Sequence, residues 1–211
     1  MTPRSTTLAA LGATGLSVAM PSAAAPAAHA QSATQAAPTI TVSDRRLNVR
    51  AGRRVVVRGT AQPNSRVSLR IQRAGRWRTL ARARTDARGA FTLRDRMRRP
   101  LSARARLSAA GAAPRSLGRL NVYRSALASW YGPGLYGQRL GCGGTLSAGD
   151  LGVAHRSLPC GARVTLRHRG RTLRVRVIDR GPYAGGREYD LTAATARRLG
   201  FNGHGAILTT R

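Results

Sequence analysis

The sequence contains no lysine, few acids and few aromatic residues. All 37 of its Lys and Arg positions are arginine, against seven Asp and Glu, which gives a formal net charge of +30. Such a charge normally indicates nucleic-acid binding. Aromatic residues, however, are 4% of the chain, too few for platforms on which bases stack. We therefore expect no nucleic-acid partner, and interpret the arginines as a solvated surface suited to a polyanion or as a consequence of genome composition.

Long apolar runs are also scarce, and the longest one lies at the start of the chain. Residues 1–4 form a short segment made basic by Arg4, residues 8–20 are apolar, and residues 28–30 read A-H-A. This order is typical of a secretory signal peptide over residues 1–30, and the apolar run is too short for a membrane-spanning helix. No cysteine lies near the cleavage point, so we expect no lipid or membrane anchor. We predict a secreted, extracellular protein that begins near Gln31.

Cysteine occurs only twice, at Cys142 and Cys160. In an exported protein an even pair predicts a disulfide, and zinc is the lesser alternative because no other soft ligand is nearby. A bridge between them would close a loop of about 19 residues and contribute roughly 3 kcal/mol. We predict no metal site and no cofactor.

The first half of the chain after residue 38 alternates apolar and polar residues in short segments. Residues 31–38 form an Ala- and Pro-rich linker, and residues 39–123 then contain seven predicted strands, at 40–43, 54–58, 66–72, 77–80, 90–93, 103–107 and 118–122. This pattern predicts a β-sandwich, and it resembles bacterial immunoglobulin-like repeats. The segment carries 22 arginines against three aspartates. It is either a spacer with a soluble surface or an electrostatic contact with anionic wall polymers.

The second half predicts more strands and one helix. Residues 163–167 and 172–178 alternate as strands around a turn at 168–170, and residues 206–210 form a closing strand. Thr192 is a good N-cap for a helix over 193–199, which Gly200 would end. Closing these strands into a barrel would remove their free edges.

Four motifs in residues 126–211 resemble the rare lipoprotein A family. They are A-S-W-Y-G-P-G at 128–134, A-H-R-S-L-P-C-G at 154–161, V-I-D-R-G-P-Y at 177–183, and D-L-T at 190–192 before the helix. The resemblance implies a six-stranded double-psi β-barrel with one or two short helices. The predicted fold class is therefore all-β, an immunoglobulin-like sandwich followed by this barrel. Members of the family are lytic transglycosylases of peptidoglycan, which implies a wall-associated protein with a glycan partner.

The resemblance also implies three catalytic residues. Asp179 matches the acid of the family's D-R-G-P motif, and His155 matches its histidine. Asp190 matches the proton donor of the related cellulase and expansin barrels. Each has a structural alternative: a capped turn for Asp179, a hydrogen-bonded core histidine for His155, and a charge at the helix start for Asp190.

Aromatic and arginine side chains near these motifs are candidates for substrate binding. Tyr131 and Tyr183 could stack on sugar rings, and Arg180 and Arg187 could bind muramyl carboxylates. Trp130 and Tyr136 belong to the same group, although we expect Trp130 to lie in the barrel core.

One position departs from the family pattern. The family has a glutamate 11 residues before the histidine, and here that position is Gly144. Glu188, two residues before Asp190, could supply another acid or form an ordinary salt bridge. Two functions therefore stay open: peptidoglycan cleavage with Asp179 as the acid/base, or glycan binding and expansin-like wall loosening without cleavage.

Overall fold

The computed structural model describes residues 37–183 and 185–211. The predicted signal peptide (1–30) and most of the predicted linker (31–38) lie outside these residues. The strands are β1 (Thr41–Arg46), β2 (Asn48–Arg50), β3 (Arg54–Thr60), β4 (Arg66–Arg73), β5 (Arg76–Arg84), β6 (Ala90–Arg96), β7 (Leu101–Ala109), β8 (Arg115–Tyr131), β9 (Gly152–Ala154), β10 (Arg163–His168), β11 (Arg171–Asp179), β12 (Tyr189–Thr192) and β13 (Gly205–Thr209); one helix, α1, spans Ala193–Leu199.

The first half folds as two sheets around one core. One sheet has the order β1-β3-β6, and the other runs β5-β4-β7-β8 with β2 paired to β8. Alternation explains the packing: Val55 and Val57 of β3 are fully buried, whereas Arg54 and Arg58 are exposed. Side chains from both sheets join one apolar cluster. The predicted strands are confirmed, with β2 as an addition, and the immunoglobulin-like classification stays a prediction.

Asp86 forms a hydrogen-bonded turn between β5 and β6. The Asp86 Oδ1 atom accepts hydrogen bonds from the backbone N–H groups of Arg88 (2.9 Å) and Ala90 (2.8 Å). The Gly89 N–H donates to the Asp86 carbonyl at 3.0 Å, and Gly89 has a positive φ of 80°. Asp86 is therefore a structural turn residue.

The second half is a closed barrel of six strands. Neighbouring strands follow the order β8-β12-β9-β11-β10-β13, and β13 pairs with β8 again to close the ring. The β8–β12 and β9–β11 pairs are parallel and the others are antiparallel. Tyr189 and Leu191 of β12 are fully buried in the apolar core. The predicted barrel is confirmed.

The junction of the two halves is one continuous strand. Residues 124 and 125, between the predicted sandwich (39–123) and the predicted barrel (126–211), lie inside β8, which is 17 residues long. Its first part pairs with β7, and its last part pairs with β12 and β13. A single strand thus belongs to the sandwich and to the barrel.

The helix begins and ends at the predicted residues. The Thr192 Oγ1 atom accepts a hydrogen bond from the Thr195 N–H, and Gly200 adopts a left-handed conformation after Leu199. In the described part of the chain, no helix is long and apolar enough to cross a membrane.

Candidate functional site

Two aspartates lie on either side of Ala154. Ala154, in the short strand β9, pairs with Asp179 of β11 on one side and with Asp190 of β12 on the other. Because adjacent strands are 4.7–4.9 Å apart, the backbones of the two acids are about 10 Å apart. Barrel closure therefore brings the D-R-G-P motif and the D-L-T motif to one place.

The carboxylate of Asp179 is held by backbone donors. Its Oδ1 atom accepts hydrogen bonds from the Gly141 N–H at 2.7 Å and from the Arg180 N–H at 2.8 Å. The side chain keeps partial solvent access. Asp179 is thus oriented by its own turn and by the loop around Gly141. It can still contact a ligand.

The predicted disulfide between Cys142 and Cys160 is confirmed, with a Cα–Cα distance of 5.5 Å. It ties the residue after Gly141 to the turn that follows His155. Cys160 lies in this turn and not in a strand. Because Gly141 donates to Asp179, the disulfide restrains one of the two hydrogen bonds that orient the acid.

Asp190 is partly buried and has different hydrogen-bond partners from Asp179. Its Oδ1 atom accepts a hydrogen bond from the Ser129 Oγ at 2.7 Å. Burial raises the pKa of Asp190, and the negative charge of Asp179 adds to the rise, while Ser129, Arg187 and His204 oppose it. A carboxyl whose pKa is raised keeps its proton to higher pH and is a better proton donor.

Tyr131 lies beside the two aspartates. Its hydroxyl is buried and faces the Asp179 carboxylate. Burial raises the pKa of Tyr131 well above its ordinary value, and the charge of Asp179, a hydrogen bond to Asp179, and the charges of Asp190 and Asp150 add to the rise. The hydroxyl is therefore a neutral donor near the acids. It is close enough to Asp179 to orient that carboxylate or to donate to a ligand bound beside it.

The His155 side chain lies next to Glu188 and not next to Asp179. Its Nδ1 atom accepts hydrogen bonds from the backbone N–H groups of Ser157 (3.1 Å) and Leu158 (3.0 Å). The proton of the neutral ring therefore lies on Nε2, which is 3.6 Å from the Glu188 Oε1 atom. Only the backbone of His155 contacts Asp179, through a 3.2 Å bond from its N–H to the Asp179 carbonyl.

Glu188 connects His155 to Arg124. The Arg124 guanidinium binds both Glu188 oxygens, with Nη1 at 2.7 Å from Oε2. Although burial opposes it, the Arg124 contact together with His155 lowers the pKa of Glu188. Burial lowers the pKa of His155, and the Glu188 charge partly offsets that effect. Glu188 is therefore an ionised partner for His155 and a poor proton donor.

Some of the predicted substrate-binding side chains are fixed by hydrogen bonds, and others are exposed to solvent. The Arg180 guanidinium donates to the carbonyls of His155 (3.1 Å) and Leu158 (2.8 Å). Tyr183 is 77% exposed, and Trp130, expected in the core, is 36% exposed. Arg187 lies in the electrostatic neighbourhood of Asp190. Exposed aromatic faces are thus available on the barrel surface for sugar rings.

Gly144 faces open space in a left-handed conformation. Its φ is 81°, and a Cβ built there would meet no atom within 4 Å. A glutamate would fit sterically, but its backbone would be strained. The loop conformation therefore favours glycine at the position where the family has its glutamate.

Three site residues were not predicted from the sequence. Arg124 lies in the segment expected to join the halves, Ser129 lies in a motif chosen for its aromatics, and Gly141 acts through its backbone. Only the register of strand closure reveals these contacts. Within residues 37–183 and 185–211, no cluster of three or more His, Cys, Asp or Glu could hold a metal ion.

Comparison with known proteins identifies the second half of the chain. Residues 124–209 match the family model described as "Lytic transglycolase". "Probable endolytic peptidoglycan transglycosylase RlpA" of Synechocystis is 43% identical over 84 residues, covering 39% of this chain and 26% of the relative. The protein of that name from Aquifex aeolicus is 38% identical over 87 residues, covering 40% and 38%.

Further matches agree with this assignment. "Endolytic peptidoglycan transglycosylase RlpA" of Campylobacter jejuni is 39% identical over 75 residues, covering 35% of this chain and 27% of the relative. A solved structure, "Streptomyces papain inhibitor (SPI)", aligns with 42% of this chain and 94% of its own at 24% identity and a TM-score of 0.33. The chain spans between 26% and 38% of these three curated relatives. Its barrel, residues 124–209, belongs to the rare lipoprotein A-like family of double-psi β-barrels.

Proposed function

We propose that the barrel acts on the glycan strands of peptidoglycan as a lytic transglycosylase, with Asp179 as the acid/base. The pairing of Asp179 and Asp190 with Ala154 carries this proposal, because it places two carboxyls of different character in one site. The names of the relatives support the substrate class. Secretion to the cell wall is part of the same proposal.

The chemistry needs one proton that is given and then recovered. A proton from the carboxyl pair passes to the glycosidic oxygen as the bond from C1 to that oxygen breaks. The C6 hydroxyl of the same sugar then bonds to C1, and its proton returns to the pair, so no water is consumed. Asp179 contacts the reacting oxygens, because it ends its strand with partial solvent access beside the exposed Tyr183.

Asp190 supports this reaction through its raised pKa. Burial is the main cause of this rise, and the negative charge of Asp179 makes the smallest contribution to it. The Tyr131 hydroxyl, which stays protonated, can donate a hydrogen bond to the sugar. The ion pair of Glu188 with Arg124 fixes the His155 ring and acts as a positioning element.

The second candidate is glycan binding or wall loosening without cleavage. The observation that favours it is Gly144, which occupies the position of the family glutamate and has a left-handed backbone conformation. In this case Asp179 and Asp190 would bind glycan through hydrogen bonds, and the exposed Tyr183 would stack on a sugar ring.

The sandwich would add an electrostatic contact with anionic wall polymers. A groove of about 780 Å³ supports this proposal. One acid, Asp44, lines this groove. The seven arginines that line it are Arg46, Arg50, Arg53, Arg54, Arg58, Arg94 and Arg96. Among the residues that the structure describes, Asp44 forms an ion pair with Arg58 alone, at 3.6 Å between exposed groups, so most of this charge is available to an anion.

Incubation with purified peptidoglycan sacculi tests the proposal. The wild-type protein should release soluble 1,6-anhydro muropeptides, identified by mass spectrometry. The Asp179→Asn variant should lose this release and still sediment with the sacculi. Sedimentation of the wild type without any product would support the binding function. Neither release nor sedimentation would refute both candidates.

A further inference from the structure

A cluster of five arginines lies where the sandwich meets the barrel. Arg104 of β7 pairs directly with Arg119 of β8, and Arg163 of β10 pairs directly with Arg176 of β11. Arg174 of β11 lies two residues before Arg176. We call these five residues the junction cluster. It combines two like-charge pairs, one from each half of the molecule.

The members of the junction cluster repel each other across the domain boundary. Burial lowers the pKa of Arg119, and the charges of Arg104 and Arg163 lower it further. The pKa of Arg174 is lowered by burial and by the charges of all four other members. No acid contributes to either shift. The positive charges of the sandwich and those of the barrel are therefore close enough to repel each other.

Polar contacts hold the two halves together at the same place. The Arg119 Nε atom donates to the Ser102 Oγ at 3.0 Å, and the Thr165 hydroxyl of the barrel donates to the same oxygen at 3.2 Å. The positions of the charges are thus set by contacts on both sides. Like charges directly opposite each other in a sheet destabilise it. The fold retains them here without a compensating acid.

We propose that the junction cluster binds a linear polyanion with repeated phosphate or carboxylate groups, and that this ligand bridges the sandwich and the barrel. Five guanidinium groups carry more charge than one phosphate can neutralise, so the ligand has several anionic groups. Arginine binds both phosphate and carboxylate in a bidentate manner. This site is separate from the sandwich groove and does not depend on glycan cleavage.

The surroundings of the cluster favour a polymer without bases. The cavity that contains Arg104 and Arg119, about 410 Å³, is also lined by Trp77. The Arg106 guanidinium covers the Trp77 ring at 4.0 Å from its centre. This ring is therefore occupied and is not a free platform for stacking a base.

Binding of defined polyanions to two triple variants tests the proposal. The junction variant is Arg104→Gln, Arg163→Gln and Arg176→Gln; the control variant is Arg78→Gln, Arg82→Gln and Arg88→Gln. All six arginines are exposed, and no control arginine pairs directly with another arginine. Both variants lose the same net charge. The probes are inorganic polyphosphate, poly-L-glutamate of equal charge, and an oligothymidylate.

The junction variant should bind polyphosphate or polyglutamate about tenfold more weakly, because each exposed contact changes binding about two- to threefold. Without ligand it should unfold at a higher temperature than the wild type, since repulsion is removed. The control should do neither. A preference for polyphosphate or for polyglutamate would identify the anionic group. Equal losses in both variants, no binding, or tighter binding of oligothymidylate would overturn the proposal.

Discussion

The sandwich and the barrel use their few acids differently. The sandwich has three aspartates, and of these Asp86 holds a turn and Asp44 touches one exposed arginine. The barrel has four acids, and all of them lie at or near one site: Asp150, Asp179, Glu188 and Asp190. In a chain with 37 arginines, this concentration of negative charge in the barrel is the basis for assigning the proposed chemistry to the barrel and the proposed anion binding to the sandwich.

Removing the disulfide should have the largest effect on stability, and the effect should arise in the barrel. Replacing both Cys142 and Cys160 by Ser should lower the free energy of unfolding by about 3 kcal/mol, because the unfolded chain gains freedom. Denaturant unfolding measures this change. Reduction of the wild type should reproduce it. An unchanged midpoint would show that the loop is held without the bridge.

Asp190→Asn should reduce glycan release by about a hundredfold, the usual contribution of acid–base groups. It should also raise thermal stability at neutral pH. Since the folded-state pKa of Asp190 is raised above its ordinary 3.8, the wild type loses stability as the pH rises through that pKa. The Asn side chain has no charge to bury.

Melting temperatures between pH 3 and pH 8 test the second part of this prediction. The gap between the Asp190→Asn variant and the wild type should widen as the pH rises, and an identical pH profile for the two proteins would contradict it. For the activity part of the prediction, Asp150→Asn is the matched control, and it should leave glycan release nearly unchanged.

The ion pairs of the two halves should differ in strength. Glu188→Gln should cost about 1 kcal/mol, because it leaves the partly buried Arg124 and His155 without their acid. Asp44→Asn in the sandwich should cost close to zero, since both groups of that pair are about half exposed. Denaturant unfolding of the two variants compares them directly. An equal loss of unfolding free energy in the two variants would contradict the expected difference between the two ion pairs.

An effect of similar size is expected in the loop that lacks the family glutamate. Gly144→Ala should destabilise by about 1 kcal/mol because of its positive φ, and Gly149→Ala, which has free space and no positive φ, should not. Thermal unfolding distinguishes them. Equal stability of the two variants would contradict a backbone requirement for glycine at position 144.

Alternating patterns and caps made most of the fold predictable. Strands β3, β4, β10 and β11, the Asp86 turn and the Thr192 cap follow from local sequence, because each reflects which side chains are buried or which backbone groups need partners. The continuity of β8 was not predictable, since Arg124 and Ser125 interrupt the apolar alternation at the junction.

The motifs selected Asp179, His155 and Asp190 as candidate site residues, and their roles stay a prediction. They could not show that Ala154, in a strand of three residues, separates the two aspartates. They also could not show that His155 faces Glu188, because this contact depends on how distant strands meet when the barrel closes. Trp130 was expected in the core, and its 36% exposure reflects its place near the end of β8.

The most direct test is a side-by-side assay of Asp179→Asn and a sandwich-groove variant, Arg46→Gln with Arg54→Gln and Arg94→Gln. Anhydro-muropeptide release and sedimentation with sacculi are measured in the same tubes at two salt concentrations. We predict that Asp179→Asn loses release by about a hundredfold and keeps salt-sensitive sedimentation. The groove variant should sediment less with sacculi. When soluble glycan is the substrate, it should still release product. Loss of release in the groove variant, or normal release by Asp179→Asn, would contradict the division of roles between the two halves.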